Sequence, residues 1–215
     1  MKPYSKDSFG RKRSMNPTTL RGRWLILSSF ARLSVRSSGG HGPACRPFEH
    51  VLQLQITPWN GDEASWTVFR NREDSRKAGR LLYKHWDTKT DWEKLQQLEG
   101  KPLPKNWHDD TSVSGKQLPV SSRWIKDLEN ALATIQIPPI AGPILPFSKK
   151  IVHKLSFWRG RQESVFLWEQ ETPKEWQALA NFFSSSRERF HNHLAKEALV
   201  PIEELPLGDP AATRS

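Results

Sequence analysis

The chain has 215 residues, a single cysteine and a net charge of +10. That length suits one domain with extensions better than two domains. One cysteine excludes an internal disulfide, and no apolar run approaches the roughly 20 residues a membrane-crossing helix requires. The charge is concentrated: residues 1–48 carry ten Lys/Arg against one acid, Asp7, whereas residues 49–215 carry 23 basic and 22 acidic side chains. A high isoelectric point is therefore a property of the N-terminal segment and not of the body.

Residues 1–47 are rich in Ser and Arg and read as a basic disordered tail, a leader, or an extension from a start assigned too far upstream, with Met15 as a later candidate. Leu20, Trp24, Leu27 and Ala31 could form one weak helical face ringed by Arg21, Arg23, Arg32 and Arg36. If residues 1–45 are a transit peptide the protein is organelle-targeted; otherwise a cytoplasmic location is expected.

The body is expected over residues 48–198. HVLQLQIT (50–57) alternates, with Leu52, Leu54 and Ile56 on one face, and reads as a half-buried strand. Asn60-Gly61 marks a turn, and SWTVFR (65–70) is the returning strand. Ala78, Leu81, Leu82 and His85 fall at helical spacing. A second helix is expected over 90–100, opened by a Thr90/Glu93 capping box and stopped by Gly100. Residues 103–121 look like a loop. A helix over about 122–135 carries Ile125, Leu128, Leu132 and Ile135, and IPPIAGPILP (137–146) is expected to lie extended across the core. KIVHKLSFW (150–158) and VFLW (165–168) form a second hairpin. Thr172 as N-cap and Pro173 at the first helical position start a long helix with a stripe of Trp176, Leu179, Ala180, Phe183, Phe190 and Leu194. Residues 199–215 read as a disordered C-terminal tail.

Two stretches suggest internal repetition. WNGDEAS (59–65) and WRGRQES (158–164) share Trp, Gly and Ser at one spacing, and the apolar positions 52, 54 and 56 fall on 151, 153 and 155 at the same offset. The expected fold is α+β: a four-stranded antiparallel sheet from two β-hairpins, packed on one side against helices, with the two ββα halves open to being copies of one unit.

The stretch FWRGRQESVFLWEQETPKEWQALANFF (157–183) decides how the aromatics are used. Phe166 and Trp168 alternate with Val165 and Leu167, so one pair faces a core and the other faces outward. Amphipathic periodicity favours burying Phe166 and Trp168 against Trp176 on the following helix. Nine tryptophans in residues 49–215 exceed the needs of a core, so some are expected at the surface. His153, Leu155, Phe166, Trp168, Glu169, Pro173, Trp176 and Leu179 together resemble a pattern of uncharacterised bacterial proteins in which a short hairpin runs into W-E-x-x-P-x-x-W-x-x-L. The resemblance covers about residues 153–183, and here the segment from Trp168 to Pro173 is one residue longer. It implies a hairpin followed by a helix and no particular activity.

No Gly-rich phosphate loop, nucleophile elbow or paired-cysteine zinc pattern is present in the sequence. Glu188 and His191 have the spacing of half a di-iron site, but no second copy completes it. Trp107-His108-Asp109-Asp110 could serve as acid and base or hold part of a metal site, yet no second ligand cluster accompanies it. His85 and His153 read as core or rim histidines. These observations lean away from an enzyme, with no cofactor and no metal expected. They favour an uncharacterised binding or assembly module that uses an exposed aromatic and basic surface, the candidate residues being Trp158, Arg159, Arg161, Trp107 and His108. An unknown protein partner is the first expectation, with the oligomeric state left open. Nucleic acid bound by the basic hairpin and the tail is the second reading, and a small hydrolase built on His108 and Asp110 is the third.

Overall fold

The computed structural model describes residues 19–36, 48–58, 61–72, 79–105, 107, 110–136, 150–159 and 162–201. Their elements run α1 (Leu20–Arg36), β1 (Phe48–Thr57), β2 (Glu63–Asn71), β3 (Gly79–Trp86), α2 (Thr88–Gln97), β4 (Val113–Val120), α3 (Ser122–Ala133), β5 (Val152–Arg159), β6 (Gln162–Glu169), a 3-10 turn (Lys174–Trp176), α4 (Gln177–Leu194) and a two-residue β7 (Val200–Pro201). All strands pair antiparallel in one sheet of order β6-β5-β1-β2-β3-β4-β7.

The α+β class and the two hairpins stand as expected. They lie side by side as β6-β5-β1-β2, joined by the β1–β5 ladder in which Leu54 faces Leu155. The strand count of four does not stand, because the sheet has six full strands and the short β7. Two segments account for the difference. Residues 78–85 were expected as a helix, but Gly79–Trp86 is β3, seated between β2 and β4. The run Leu81-Leu82 fits helical spacing only because the strand is buried on both faces, which erases alternation. Residues 103–121 were expected as a loop, yet Val113–Val120 is β4. Its Pro119, Gly115 and Lys116 are strand-poor residues that an edge position tolerates.

One face carries the main core. Leu52, Leu54, Trp66, Val68, Leu81 and Leu155 of the sheet pack against Trp124, Ile125 and Leu128 of α3 and Leu179, Phe183 and Phe190 of α4. Gly79 lets α3 approach closely, since a Cβ there would collide with the Phe69 carbonyl and the Ile125 side chain. The aromatic stripe behaves as its periodicity indicates. Trp168 and Trp176 are buried, Phe166 meets Trp176 edge-on at 5.7 Å, and Trp168 meets Phe183 edge-on at 5.2 Å. His153, expected in the core or at its rim, is half-buried and stacks on Trp168 at 5.5 Å. Phe182 is buried as well, one residue beyond the expected stripe.

The opposite face is also covered, which one-sided packing did not anticipate. Here α1 and α2 cover Trp86 and Val113 through Leu27, Ala31, Val35 and Leu95. The expected tail of residues 1–47 is thus too long. Leu20–Arg36 is a helix whose Ala31 is 0% exposed, and its buried stripe uses the Leu27 and Ala31 positions that the weak helical face contained. Residues 1–18 and 37–47, the proline-rich stretch 137–146 and residues 202–215 lie outside the described residues. Of the expected C-terminal tail, Val200–Pro201 pairs with Ser114–Gly115 of β4.

Polar contacts add to the apolar docking of α1. Lys84 Nζ donates to the Ser34 carbonyl at 2.9 Å, Ser65 Oγ to the Val35 carbonyl at 2.8 Å, and Gln53 Nε2 to the Arg36 carbonyl at 3.3 Å. Three adjacent strands therefore satisfy the orphan carbonyls of one helix end, and the Lys84 cation sits where the helix dipole favours it. Glu63, 1% exposed, accepts from Gln55 Nε2 at 2.6 Å and from Arg36 Nε at 2.8 Å, with Arg32 at 3.6 Å. At the other end Arg23 reaches the Leu98 carbonyl at 2.8 Å and so caps α2.

Helix caps differ in detail from expectation. The N-cap of α2 is Asp87, not Thr90: its carboxylate accepts from Thr90 N–H at 3.0 Å, and the Thr90 bonds hold its pKa below the usual carboxylate value. Thr172 does not cap α4, which is entered through the 3-10 turn after Pro173. The first half also departs from a simple ββα repeat, since β3 intervenes between the β1–β2 hairpin and α2.

Candidate functional site

The expected site residues fall in two separate places. Trp107 packs beside the α1–α2 cluster with Trp86 and Leu95, and Asp110 is exposed and pairs with Lys94 at 3.1 Å. His108, Asp109 and Arg161 lie outside the described residues. Trp158 and Arg159 close β5 and border a groove; Arg159 shares the face of Phe157, while the Trp158 ring turns to the other face and His50.

The groove has three structural causes. First, β1 carries a bulge: the pairing with β2 shifts between His50 and Leu52, so Val51 and Leu52 both reach the α3 side. Second, α3 starts sharply because Ser121 Oγ accepts from Trp124 N–H at 3.2 Å, and its stripe then brings Leu128 and Leu132 over β1 and β5. Third, Phe157 faces α3 from β5 and stacks on Phe166 at 5.9 Å. Between these walls remains a cavity of about 160 Å³. Its floor is apolar (Val51, Leu52, Leu128, Leu132 and Phe157), and Trp158, Arg159 and Glu129 contribute to its lining.

The charges at this mouth are unequally engaged. Arg70 binds Glu129 and lies 3.9 Å from Glu49, so the acid that lines the groove is already paired. Arg159 is exposed, makes no ion pair among the described residues, and has its guanidinium 6.0 Å from the Phe157 ring. Trp158 is half-buried and leans on His50 at 4.9 Å, which in turn meets Phe69. The arrangement can hold a small apolar side chain and present the Arg159 cation to what flanks it, whereas the Trp158 ring lies on the other face of β5.

Two other arrangements were not foreseen. A broad hollow of about 430 Å³ lies over Ser185, Glu188, Arg189, Asn192 and His193, all on α4. Its polar groups serve packing: His193 Nε2 accepts from Trp124 Nε1 at 2.8 Å, and Arg189 covers the Trp124 ring at 4.8 Å. Along β2 and β3, Asp62, His85, Tyr83 and His191 form a row, with His85 Nε2 3.4 Å from Asp62 and the Tyr83 and His191 rings 5.8 Å apart. Burial first, and the Asp62 charge second, push Tyr83 up to about 12, so its hydroxyl stays protonated and its ring serves packing. Burial, aided by Arg187 and Lys116, lowers the pKa of His191. Strand alternation could have placed Tyr83 and His85 on one face had β3 been read as a strand; His191 arrives from 106 positions further on, and nothing local signals it.

Among the described residues, no group of three His, Cys, Asp or Glu side chains is placed to hold a metal ion, and no helix is long and apolar enough to cross a membrane. The chain matches no known protein family, no characterised protein and no solved structure, so the geometry of the groove is the basis for any functional reading.

Proposed function

We propose that the protein is a binding or assembly module whose recognition surface is the groove between α3 and the β1–β5 pair. The observation that carries this reading is that an apolar slot lined by Val51, Leu52, Leu128, Leu132 and Phe157 lies beside Arg159, an exposed cation with no ion pair among the described residues. A protein segment fits it best: an apolar side chain of about the size of valine or leucine enters the slot, and an adjacent carboxylate meets Arg159.

Affinity capture from native cells with the full chain, followed by mass spectrometry, tests this. A partner retained by the wild type and lost with both Leu132→Trp and Arg159→Glu, with unchanged circular dichroism, supports it. Retention of that partner by both variants contradicts it. Capture of RNA that falls steeply with added salt, and that survives Leu132→Trp, would move the assignment to nucleic acid.

A further inference from the structure

The two edges of the sheet are built differently. The β4 edge has Pro119, which offers no N–H, and Lys116, and β7 pairs with it at Ser114 and Gly115. These are the usual means of blocking an edge against further pairing. β6 has none of them. Over its eight residues, Gln162–Glu169, it contains no proline and no lysine, its ladder with β5 runs unbroken from Val152↔Glu169 to Arg159↔Gln162, and among the described residues it pairs with nothing else. On its outward face Val165 and Leu167 are 45% and 38% exposed, bracketed at the same period by the exposed Glu163 and by Glu169, which is partly buried and 3.9 Å from Lys150.

We infer that the free edge of β6 accepts a strand from a partner protein, an extended segment of the pattern basic-x-apolar-x-apolar-x-basic. Backbone hydrogen bonds to the β6 edge supply affinity without regard to sequence. Specificity comes from the side chains that fall opposite positions 163, 165, 167 and 169. Apolar residues opposite Val165 and Leu167 remove both from water, and Lys or Arg opposite Glu163 completes the charge pattern, with a second cation at Glu169 joining or replacing its 3.9 Å contact with Lys150. The pattern reads the same in both directions, so parallel and antiparallel docking share it.

A second copy fits less well. The antiparallel register that sets Val165 against Leu167 of another β6 also sets Glu163 against Glu169 at both ends, and like charges directly opposite are destabilising. Nor does the chain contain a segment of the required pattern: Lys6/Lys12 and Arg70/Arg76 are the basic pairs six apart, and neither encloses two apolar residues at the alternate positions. The occupant is therefore another protein.

The probe is a fluorescent seven-residue peptide of alternating sequence, Lys-Thr-Val-Thr-Val-Thr-Lys, with the same peptide ending in Glu as control. Binding to the full-length protein is read by anisotropy. The expected result is saturable binding of the Lys-ended peptide, at least tenfold tighter than the control, weakened by salt, and lost in a Val165→Lys, Leu167→Lys double variant. Glu163→Lys is expected to reduce or reverse the preference between the two peptides while leaving circular dichroism unchanged. Equal binding of both peptides, no binding of either, or binding unaffected by the double variant would overturn the inference. Sedimentation showing that the wild type alone forms a dimer that Val165→Lys abolishes would also overturn it, by giving the edge to a second copy. The groove variant Leu132→Trp should bind the peptide normally, so this outcome is independent of the groove.

Discussion

The two faces of the sheet are covered by different physics. Under α3 and α4 the contacts are Leu, Phe and Trp against Leu, Val and Trp, and the helix positions repeat every three or four residues. Under α1, beside the apolar patch of Trp86 and Val113, the sheet presents Gln53, Gln55, Glu63, Ser65, Thr67 and Lys84, all buried, and the C-terminal end of the helix is held by its own carbonyls and by arginines. An apolar face is tolerant, because dispersion and water exclusion are non-directional. A polar face is exacting, because each buried donor or acceptor left alone has a full desolvation cost. The difference teaches that a helix can belong to a core whose sheet surface looks like an exterior.

The largest effect should come from the apolar face. Phe190→Ala removes a side chain that is 0% exposed, and a loss of about 3–5 kcal/mol is expected from urea unfolding. On the other face Asp91 is comparably critical without any apolar contribution. Its carboxylate is 0% exposed and accepts from Trp86 Nε1 at 2.7 Å and from Ser112 N–H at 2.8 Å, tying α2 to β3 and to the approach of β4. Asp91→Ala leaves the Trp86 donor buried and the Ser112 N–H partly so, and a loss of about 2–4 kcal/mol is expected in the same measurement. A change below about 0.5 kcal/mol, the scale of ordinary surface substitutions, would mean that the polar face is wet and the comparison is false.

A smaller effect probes the fit of α1 itself. Ala31→Leu overfills the contact between α1 and the sheet, and about 1–3 kcal/mol of destabilisation is expected. The same change in a solvated tail would have no effect on the unfolding midpoint. The smallest effect is in pH dependence. Burial, aided by Arg187, lowers the pKa of His153, so the folded state disfavours its charged form. That stability is fully present above the ordinary histidine value of about 6.5 and is lost as pH falls from there through the lowered folded value. His153→Phe should therefore flatten the part of the acid limb of stability just below neutrality. An unchanged slope would show that the ring is solvated.

How much of this was legible in the chain follows from the same contrast. The hairpins, α3, the stripe of α4 and the inward turn of Phe166 and Trp168 all follow from alternation or helical spacing of apolar residues, and they were readable. β3 was not, because a strand packed on both faces loses its alternation and Leu81-Leu82 then imitates a helix. β4 was not, because Gly115, Lys116 and Pro119 argue for a loop until an edge position is known. The docking of α1 was not, because beside Trp86 and Val113 its partners are single polar atoms on three strands, and Glu63 or Lys84 in sequence is indistinguishable from a solvated charge. Of the candidate site, Trp158 and Arg159 were identifiable as an aromatic beside a cation. The slot beside Arg159 was not, since it depends on the Val51 bulge and on where Leu132 arrives from α3.

Amide hydrogen exchange along Leu20–Arg36 tests the central claim, that α1 is a layer of the domain docked on a polar sheet face. Protection of its amides comparable to that of β3, falling together with β3 in Asp91→Ala, is the predicted result. Exchange of these amides as fast as in an unstructured peptide, while β1, β2 and β3 remain protected, would contradict it.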